Sequence, residues 1–294
     1  MEPTTPPSPV PAANPRKFSG YKPTWCSGCG DFGIHIALQK SLSNQGLDPS
    51  SVMTTFGIGC SGNMNDFLNV YAMHGLHGRG IPNAIGMKVA NHAMPVIDIA
   101  GDGDTYGEGG NHFLHACRGN HDITVLIHDN GVYGLTTGQA SSTAHRGYKS
   151  KSTPKGAIDA PLNPLVLAIS QGATFVAQGY SMDPKLHELI TLAMQHKGFA
   201  LLNVLQPCAT FNKINTPQYY KEHTYALPED YDPTDKKAAI IKAMENTEDD
   251  KLPLGIIYRE ERAPYHEQLS QLEGGTLVKR PRFMDVGKLA SAFV

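Results

Sequence analysis

The chain has 294 residues, 40% of them hydrophobic, and its 25 Lys and Arg nearly balance 27 Asp and Glu to leave a formal charge of -2. That suits one sizeable globular domain or two modest ones, and without a basic run no nucleic-acid surface is expected. No stretch approaches the roughly 20 apolar residues that span a bilayer, and five cysteines in this length do not form a disulfide framework, so a reducing cytoplasm is the expected compartment.

The first 17 residues, within MEPTTPPSPVPAANPRKF, are proline-rich and lack the apolar core of a signal peptide, which reads as an extended arm. TWCSGCGDFG follows at 24 to 33, with Cys26 and Cys29 two residues apart among glycines. That spacing serves redox disulfides, zinc and iron–sulfur clusters alike, and alone it leaves all three open. Helical spacing in GIHIALQKSL (33 to 42) leads to an apolar, β-rich segment, VMTTFGIG (52 to 59), which ends at Cys60. The pattern then repeats through MPVIDIAGDG (94 to 103), the helical GEGGNHFLHACRG (107 to 119), DITVLIHDN (122 to 130), the helical PKLHELITLAMQHKG (184 to 198) and ALLNVLQPC (200 to 208).

Continuously apolar strands alternating with helices predict an α/β fold, a mostly parallel sheet with helices on both faces. In such sheets ligands sit beyond the carboxyl ends of the strands, where this sequence puts Cys60, Asp102, Asn130 and Cys208. Residues 18 to 210 are expected to form the binding domain. The remainder, 211 to 294, with the polar PEDYDPTDKK and MENTEDDKLP, reads as a C-terminal extension packing on that domain or on a partner subunit.

The most informative stretch is GDGDTYGEGGNHFLHACRGNHDITVLIHDNG, 101 to 131. A strand delivers Gly101-Asp102-Gly103, a helix follows, and the next strand ends at Asn130, 28 residues after Asp102. Such a β-α-β unit puts Asp102 and Asn130 at neighbouring strand ends. A carboxylate and an amide oxygen there, with a backbone carbonyl nearby, are hard ligands suited to Mg²⁺, which also takes phosphate oxygens. The glycines let the backbone approach a diphosphate. The blander alternative is a helix cap at Asp102 and a turn at Asn130-Gly131. The spacing resembles the motif of thiamine-diphosphate enzymes, GDG followed by an asparagine nearly thirty residues on. This resemblance implies that Asp102, Asn130 and the carbonyl of Val132 hold Mg²⁺, with Gly101, Gly103 and Asp104 shaping the diphosphate site.

CSGCGDFGI, GIGCSGNMNDF, HGLHGRGIPNAIGMKVAN, GDGD, DNGVYGLTTGQAS and QPCATFN occur in that order within about residues 18 to 265. Together they resemble the β subunits of two-subunit 2-oxoacid:ferredoxin oxidoreductases, with the 2-oxoglutarate branch a close match. The resemblance implies one [4Fe–4S] cluster on Cys26, Cys29, Cys60 and Cys208, four thiolates being what such a cluster requires. Gly28 and Gly30 would let the first loop wrap closely around it, and Cys117 is left as a buried free thiol. Ile58, Gly59 and Cys60 are implied to face the thiazolium, His77 to reach the cofactor, and Leu135 and Thr136 to lie beyond the metal loop. Three residues have weaker cases. His74 reads equally well as a surface residue, and Arg79 suits a carboxylate, a phosphate or a partner-chain acid. Asn63 matches a position near the 2-oxoacid that is lysine in some broad-specificity members, a departure that bears on recognition of a distal carboxylate.

The implied activity is thiamine-diphosphate-dependent oxidative decarboxylation of 2-oxoglutarate with coenzyme A to succinyl-CoA and CO₂, or the reverse carboxylation. Electrons would pass through the cluster to ferredoxin. No motif here supplies the glutamate that activates the cofactor, so an α subunit is expected to complete the site in an (αβ)₂ assembly. The alternatives are pyruvate or broad 2-oxoacid specificity, a non-redox thiamine-dependent decarboxylase subunit, which has no use for a cysteine quartet, and a non-enzymatic Cys₄ zinc module. Structural zinc sites usually pair two short knuckles, whereas Cys60 and Cys208 stand alone in the sequence.

Overall fold

The computed structural model describes residues 14 to 281 and 285 to 293, so residues 1 to 13 of the proline-rich arm lie outside the described residues. In chain order, α1 (Asp31–Asn44) precedes β1 (Met53–Phe56), α2 (Met64–Phe67) and β2 (Tyr71–His74). Next, α3 (Gly80–Ala90) leads to β3 (Val96–Gly101), and α4 (Gly110–Gly119) to β4 (Thr124–Asp129). A small hairpin of β5 (Val132–Tyr133) and β6 (Gln139–Ala140) is followed by α5 (Pro164–Ser170), β7 (Phe175–Tyr180), α6 (Leu186–Gln195) and β8 (Ala200–Leu205). The chain continues through α7 (Pro217–His223), β9 (Thr224–Ala226), α8 (Lys236–Glu248), β10 (Leu252–Arg259) and α9 (Val286–Ser291).

Eight of these strands form one sheet in the order β2-β1-β3-β4-β8-β7-β10-β9. Neighbours from β2 to β7 are all parallel, while β10 runs antiparallel to β7 and parallel to β9. Every residue of β4 and β8 is buried, which explains their unbroken apolar runs: a strand covered on both faces has no solvent side to alternate with. Phe113, Val125, Leu201 and Ile257 belong to the core on one side, and Leu38, Phe56, Leu126 and Leu202 to a second core. The mostly parallel α/β fold expected from the sequence is therefore the one found.

Strands β2, β7, β9 and β10 have no counterpart in the sequence reading, for physical reasons. β7 reads FVAQGY, and its Gln178 looks like a break in the pattern. That side chain is fully buried and donates to Asn246 Oδ1 (3.1 Å) and to the Pro253 carbonyl (3.0 Å), tying β7 to α8 and β10. β2 lies at the sheet edge with all four residues exposed, so it presents no apolar face. Beyond residue 210, Ala239 and Ala243 of α8 and Ile257 and Tyr258 of β10 enter the first core, so α8 packs on the sheet of which β10 is a strand.

Parallel strands bring their carboxyl ends to one rim. The loops after β1, β3, β4 and β8 carry Cys60, Asp102, Asn130 and Cys208 to that rim.

Candidate active site

Asp102 is 1% exposed and does not cap the π-helical turn Gly103–Glu108 that follows it. Its Oδ2 instead accepts from the Ser141 hydroxyl and from Thr143 Oγ1 at 2.7 Å, and the Asn130 amide approaches Oδ1 at 3.5 Å. Burial, reinforced by the neighbouring charge of Asp129, pushes Asp102 up to about 7; a cation beside it favours the ionised form again. Asn130 Oδ1 accepts from the Val132 amide at 3.0 Å, a local turn bond of the kind the blander alternative anticipates, while its Nδ2 donates to Gln206 Oε1 at 3.1 Å.

Asp104 Oδ1 accepts from the amides of Ile58 (2.9 Å) and Gly78 (3.0 Å). His77 Nδ1 is 2.8 Å from the same oxygen but out of line for a hydrogen bond. Burial raises Asp104, and the two amides and His77 oppose that shift. Tyr133 donates to the Gly103 carbonyl at 3.2 Å, and its ring lies where a side chain at Gly103 would begin, so only glycine fits.

These groups surround one cavity of about 80 Å³. Its lining contains Ile58, Gly59, Cys60, His77, Gly101, Asp102, Gly103, Asp104, Asn130, Val132, Leu135 and Thr136, all the residues assigned to the cofactor from the sequence, together with Ser61, Tyr133 and Gly134. The donor set, a carboxylate and an amide oxygen beside glycine backbone, fits Mg²⁺ and a diphosphate chemically.

A second cavity, of about 240 Å³, is lined by Cys26, Cys29, Cys60 and Cys208 with Trp25, Asn63 and Phe211. Cys60, Gly134 and Leu135 wall both cavities. Two bonds tie three loops together here, from Trp25 Nε1 to the Cys60 carbonyl (2.7 Å) and from the Gly30 amide to the Pro207 carbonyl (3.2 Å), while a bond from the Cys29 amide to the Cys26 carbonyl (3.0 Å) turns the first loop on itself. A Cβ at Gly30 would lie 2.5 Å from Gln206 Cγ, so the first loop passes too close to admit one. All five cysteines are free. Among the described residues no three His, Cys, Asp or Glu side chains converge on one point as ligands of a single ion. The four thiols line a void, and four thiolate donors around a void fit a cluster.

Burial, and then the charge of Asp31, pushes the Cys60 thiol up to about 12 and Cys29 higher still. Cys29 Sγ donates to Asp31 Oδ2 (3.2 Å), and Asp31 Oδ1 meets His128 Nδ1 at 2.6 Å, with both side chains buried. Gln206 joins the two cavities, since its Nε2 approaches Cys29 Sγ at 3.5 Å while its Oε1 holds Asn130.

Some expected residues lie elsewhere. Asn63 lines the cysteine cavity and not the other. Arg79 is exposed, lines neither cavity, and gives its guanidinium to the carbonyls of His77, Gly78 and Glu108. His74 Nε2 meets the Gly57 carbonyl at 3.0 Å outside both linings. Cys117 is fully buried within α4. The sequence reading passed over Ser141, Thr143, Tyr133, Gln206 and the Asp31–His128 pair. Only Gln206 carries a local signal, standing directly before Pro207-Cys208.

A family model described as the C-terminal TPP-binding domain of thiamine pyrophosphate enzymes matches residues 51–204. A second, described as the C-terminal part of the pyruvate ferredoxin oxidoreductase beta subunit, matches residues 208–274. A 2-oxoacid:ferredoxin oxidoreductase subunit beta from Saccharolobus solfataricus is 46% identical over 276 residues, 89% of this chain and 90% of that protein. The 2-oxoglutarate oxidoreductase subunit KorB from Mycobacterium tuberculosis is 41% identical over 64% of this chain and 51% of its own length. Among solved structures, the 2-oxoglutarate:ferredoxin oxidoreductase from Magnetococcus marinus, with 2-oxoglutarate, coenzyme A and succinyl-CoA bound, superposes with a TM-score of 0.89 at 36% identity, covering 97% of each chain. With the sheet, the strand-end carboxylates and these relatives in agreement, the chain belongs to the family of 2-oxoacid:ferredoxin oxidoreductase β subunits, within the thiamine-diphosphate-binding fold.

Proposed function

We propose that this chain is the β subunit of a 2-oxoglutarate:ferredoxin oxidoreductase, acting with an α subunit in an (αβ)₂ assembly in the cytoplasm. The reaction converts 2-oxoglutarate, coenzyme A and two oxidised ferredoxins to succinyl-CoA, CO₂, a proton and two reduced ferredoxins, or runs in reverse. The observation that carries the reading is the shared wall: Cys60 belongs both to the cavity built on Asp102 and Asn130 and to the cavity lined by the four thiols. A decarboxylase without redox function has no use for the second cavity, and a zinc module none for the first.

Bound thiamine diphosphate supplies a thiazolium that takes up the electron pair released when a 2-oxoacid loses CO₂. Asp102, Asn130 and the Val132 carbonyl hold Mg²⁺ in this reading, with Ser141 and Thr143 fixing the carboxylate from behind. Gly101 and Gly103 shape the diphosphate site in this reading, Gly101 by leaving room beside the backbone and Gly103 by admitting the Tyr133 ring, and Asp104 anchors the Ile58 and Gly78 amides that shape its surroundings. Ile58, Gly59, His77, Leu135 and Thr136 enclose the remainder of the cofactor. Cys26, Cys29, Cys60 and Cys208 hold the [4Fe–4S] cluster. Asn63, which lines the cysteine cavity with Cys60 and Leu135, is a better substrate contact than Arg79, which lines neither cavity and turns its Nη1 to three carbonyls. No glutamate lines the first cavity among the described residues, which supports an activating glutamate from the α subunit.

Names of relatives favour 2-oxoglutarate, while the family model over 208–274 carries the name of pyruvate. Co-expression with the α chain under anaerobic conditions tests both. A brown preparation with labile iron and sulfide, reducing viologen with 2-oxoglutarate only when coenzyme A is present, is the expected result. A colourless, zinc-containing protein overturns the cluster, and preference for pyruvate overturns the substrate alone.

A further inference from the structure

Resting on that reading, we propose that the loops around the cysteine cavity form a basic docking rim for an acidic iron–sulfur electron-carrier protein. The cavity takes its walls from the loops that hold Cys26 and Cys29, Cys60 and Asn63, Gly134 and Leu135, and Cys208 to Phe211, and the chain beyond Leu135 is packed onto Cys208 through Tyr148 and Ala157. The stretches that contain or adjoin these walls, 18 to 30, 131 to 158 and 206 to 216, carry Lys22, Arg146, Lys149, Lys151, Lys155 and Lys213 and not one Asp or Glu, with buried Asp31 and exposed Asp159 directly beyond two of them, in a chain whose acids outnumber its Lys and Arg. The near-zero total charge conceals this separation. All six cations are exposed, and among the described residues none pairs with an acid. The exposed acid closest in sequence to Cys60 is Asp66, on the remaining loop.

The rim is fastened to the thiols. Tyr148 donates to the carbonyls of Gly138 (3.1 Å) and Phe211 (3.2 Å), and it packs in one cluster with Ala157, Cys208 and Phe211. Bonds from the Gly147 amide to the Ala157 carbonyl (2.7 Å) and from the Ala157 amide to the Tyr148 carbonyl (2.9 Å) close the basic loop on itself, with Lys149 directly beside Tyr148. Lys213 Nζ holds the carbonyl of Ala209, the residue after Cys208, at 2.6 Å. Cys26 is itself exposed, so the cavity reaches solvent at the loop that also carries Lys22.

Unpaired cations around an exposed redox ligand steer an acidic protein to it, raising association rates by roughly 10- to 1,000-fold at low salt without requiring a tight complex. Each docking moves one electron: the reduced cluster is oxidised, one carrier is reduced, and two dockings clear the two electrons released per 2-oxoacid.

The test uses the co-expressed αβ enzyme, with Lys149→Glu/Lys151→Glu/Lys155→Glu and Lys213→Glu as variants. Lys197→Glu, just before β8 at its amino end, serves as the control. With an acidic ferredoxin at low salt, KM for the carrier is expected to rise roughly tenfold in the triple variant and less in Lys213→Glu. The salt dependence should flatten, with methyl viologen reduction unchanged and the control silent. An unchanged KM overturns the proposal. Failure of the triple variant to co-purify with α also overturns it, making the rim a subunit interface. If the wild-type enzyme itself reduces neither dye nor ferredoxin, the functional reading underneath has failed instead.

Discussion

The two cavities that meet at Cys60 handle charge in opposite ways. Around the first, Asp102 and Asp104 are 1% and 3% exposed, and their oxygens are satisfied from inside the protein by two hydroxyls and two backbone amides. Around the second, Cys26 faces solvent and the neighbouring loops hold unpaired cations. The difference follows from the element each is built on. Central strands β3 and β4 are buried along their length and deliver their terminal residues in fixed positions, which suits a site that must hold a charged cofactor in place. The cysteines come from loops, and a site that passes electrons outward has to remain approachable.

If the cavities are separate in this way, removing a group from one should spare the other. Asp102→Ala takes away the buried carboxylate of the metal set. Loss of an outer partner of a metal ligand already costs roughly 10–100-fold, so coenzyme A-dependent viologen reduction by the αβ enzyme should fall by more than about 100-fold, while iron content stays at the wild-type level. Loss of iron in this variant breaks the comparison. The reciprocal change, Cys208→Ala, should abolish the brown colour and dye reduction yet leave thiamine diphosphate binding measurable by calorimetry within about threefold of wild type, less than a metal-ligand partner's loss would bring. A parallel loss of cofactor affinity would mean that the shared wall collapses without its cluster.

How far the sequence revealed this arrangement depended on whether a residue's task leaves a local trace. GDG and Asn130 were legible because a β-α-β unit fixes their separation, and β3, β4 and β8 because burial on both faces leaves uninterrupted apolar runs. Ser141 and Thr143 were not legible: they meet Asp102 across 39 and 41 residues of chain, from a loop with no periodicity. Gln178 hid β7 because a buried polar side chain looks like a break until its partners on α8 and β10 are seen. The basic rim was invisible for a related reason. Its cations are scattered over three segments, and only the fold gathers them.

Those loop hydroxyls offer a finer probe of the first cavity. Ser141→Ala with Thr143→Val removes both donors to Asp102 Oδ2 and keeps the carboxylate, and Thr143 also releases Asp129 Oδ1 (2.7 Å). The Mg²⁺ concentration needed for half-maximal activity should rise by roughly 10–100-fold, with the rate recovering at saturating Mg²⁺. A defect that Mg²⁺ does not repair would show that the hydroxyls position more than the metal.

The smallest expected effect on turnover, and the sharpest test of how the cavities differ, lies at Asp31. Its carboxylate accepts from Cys29 Sγ at 3.2 Å and meets His128 Nδ1 at 2.6 Å, both inside the protein. An electron entering the cluster adds negative charge next to that carboxylate, where low polarisability leaves the repulsion poorly screened. Asp31 should therefore hold the cluster potential down, which suits donation to a low-potential carrier. Asp31→Asn is the informative substitution, since the amide can still meet His128. Asp31→Ala would leave the buried ring without its hydrogen-bond partner at a cost of about 1–3 kcal/mol. A redox titration followed by electron paramagnetic resonance should find the Asn variant at higher potential, with viologen reduction little changed and ferredoxin reduction slowed. An unmoved potential would mean that His128 already cancels the charge of Asp31, leaving the pair as a brace for the Cys29 loop.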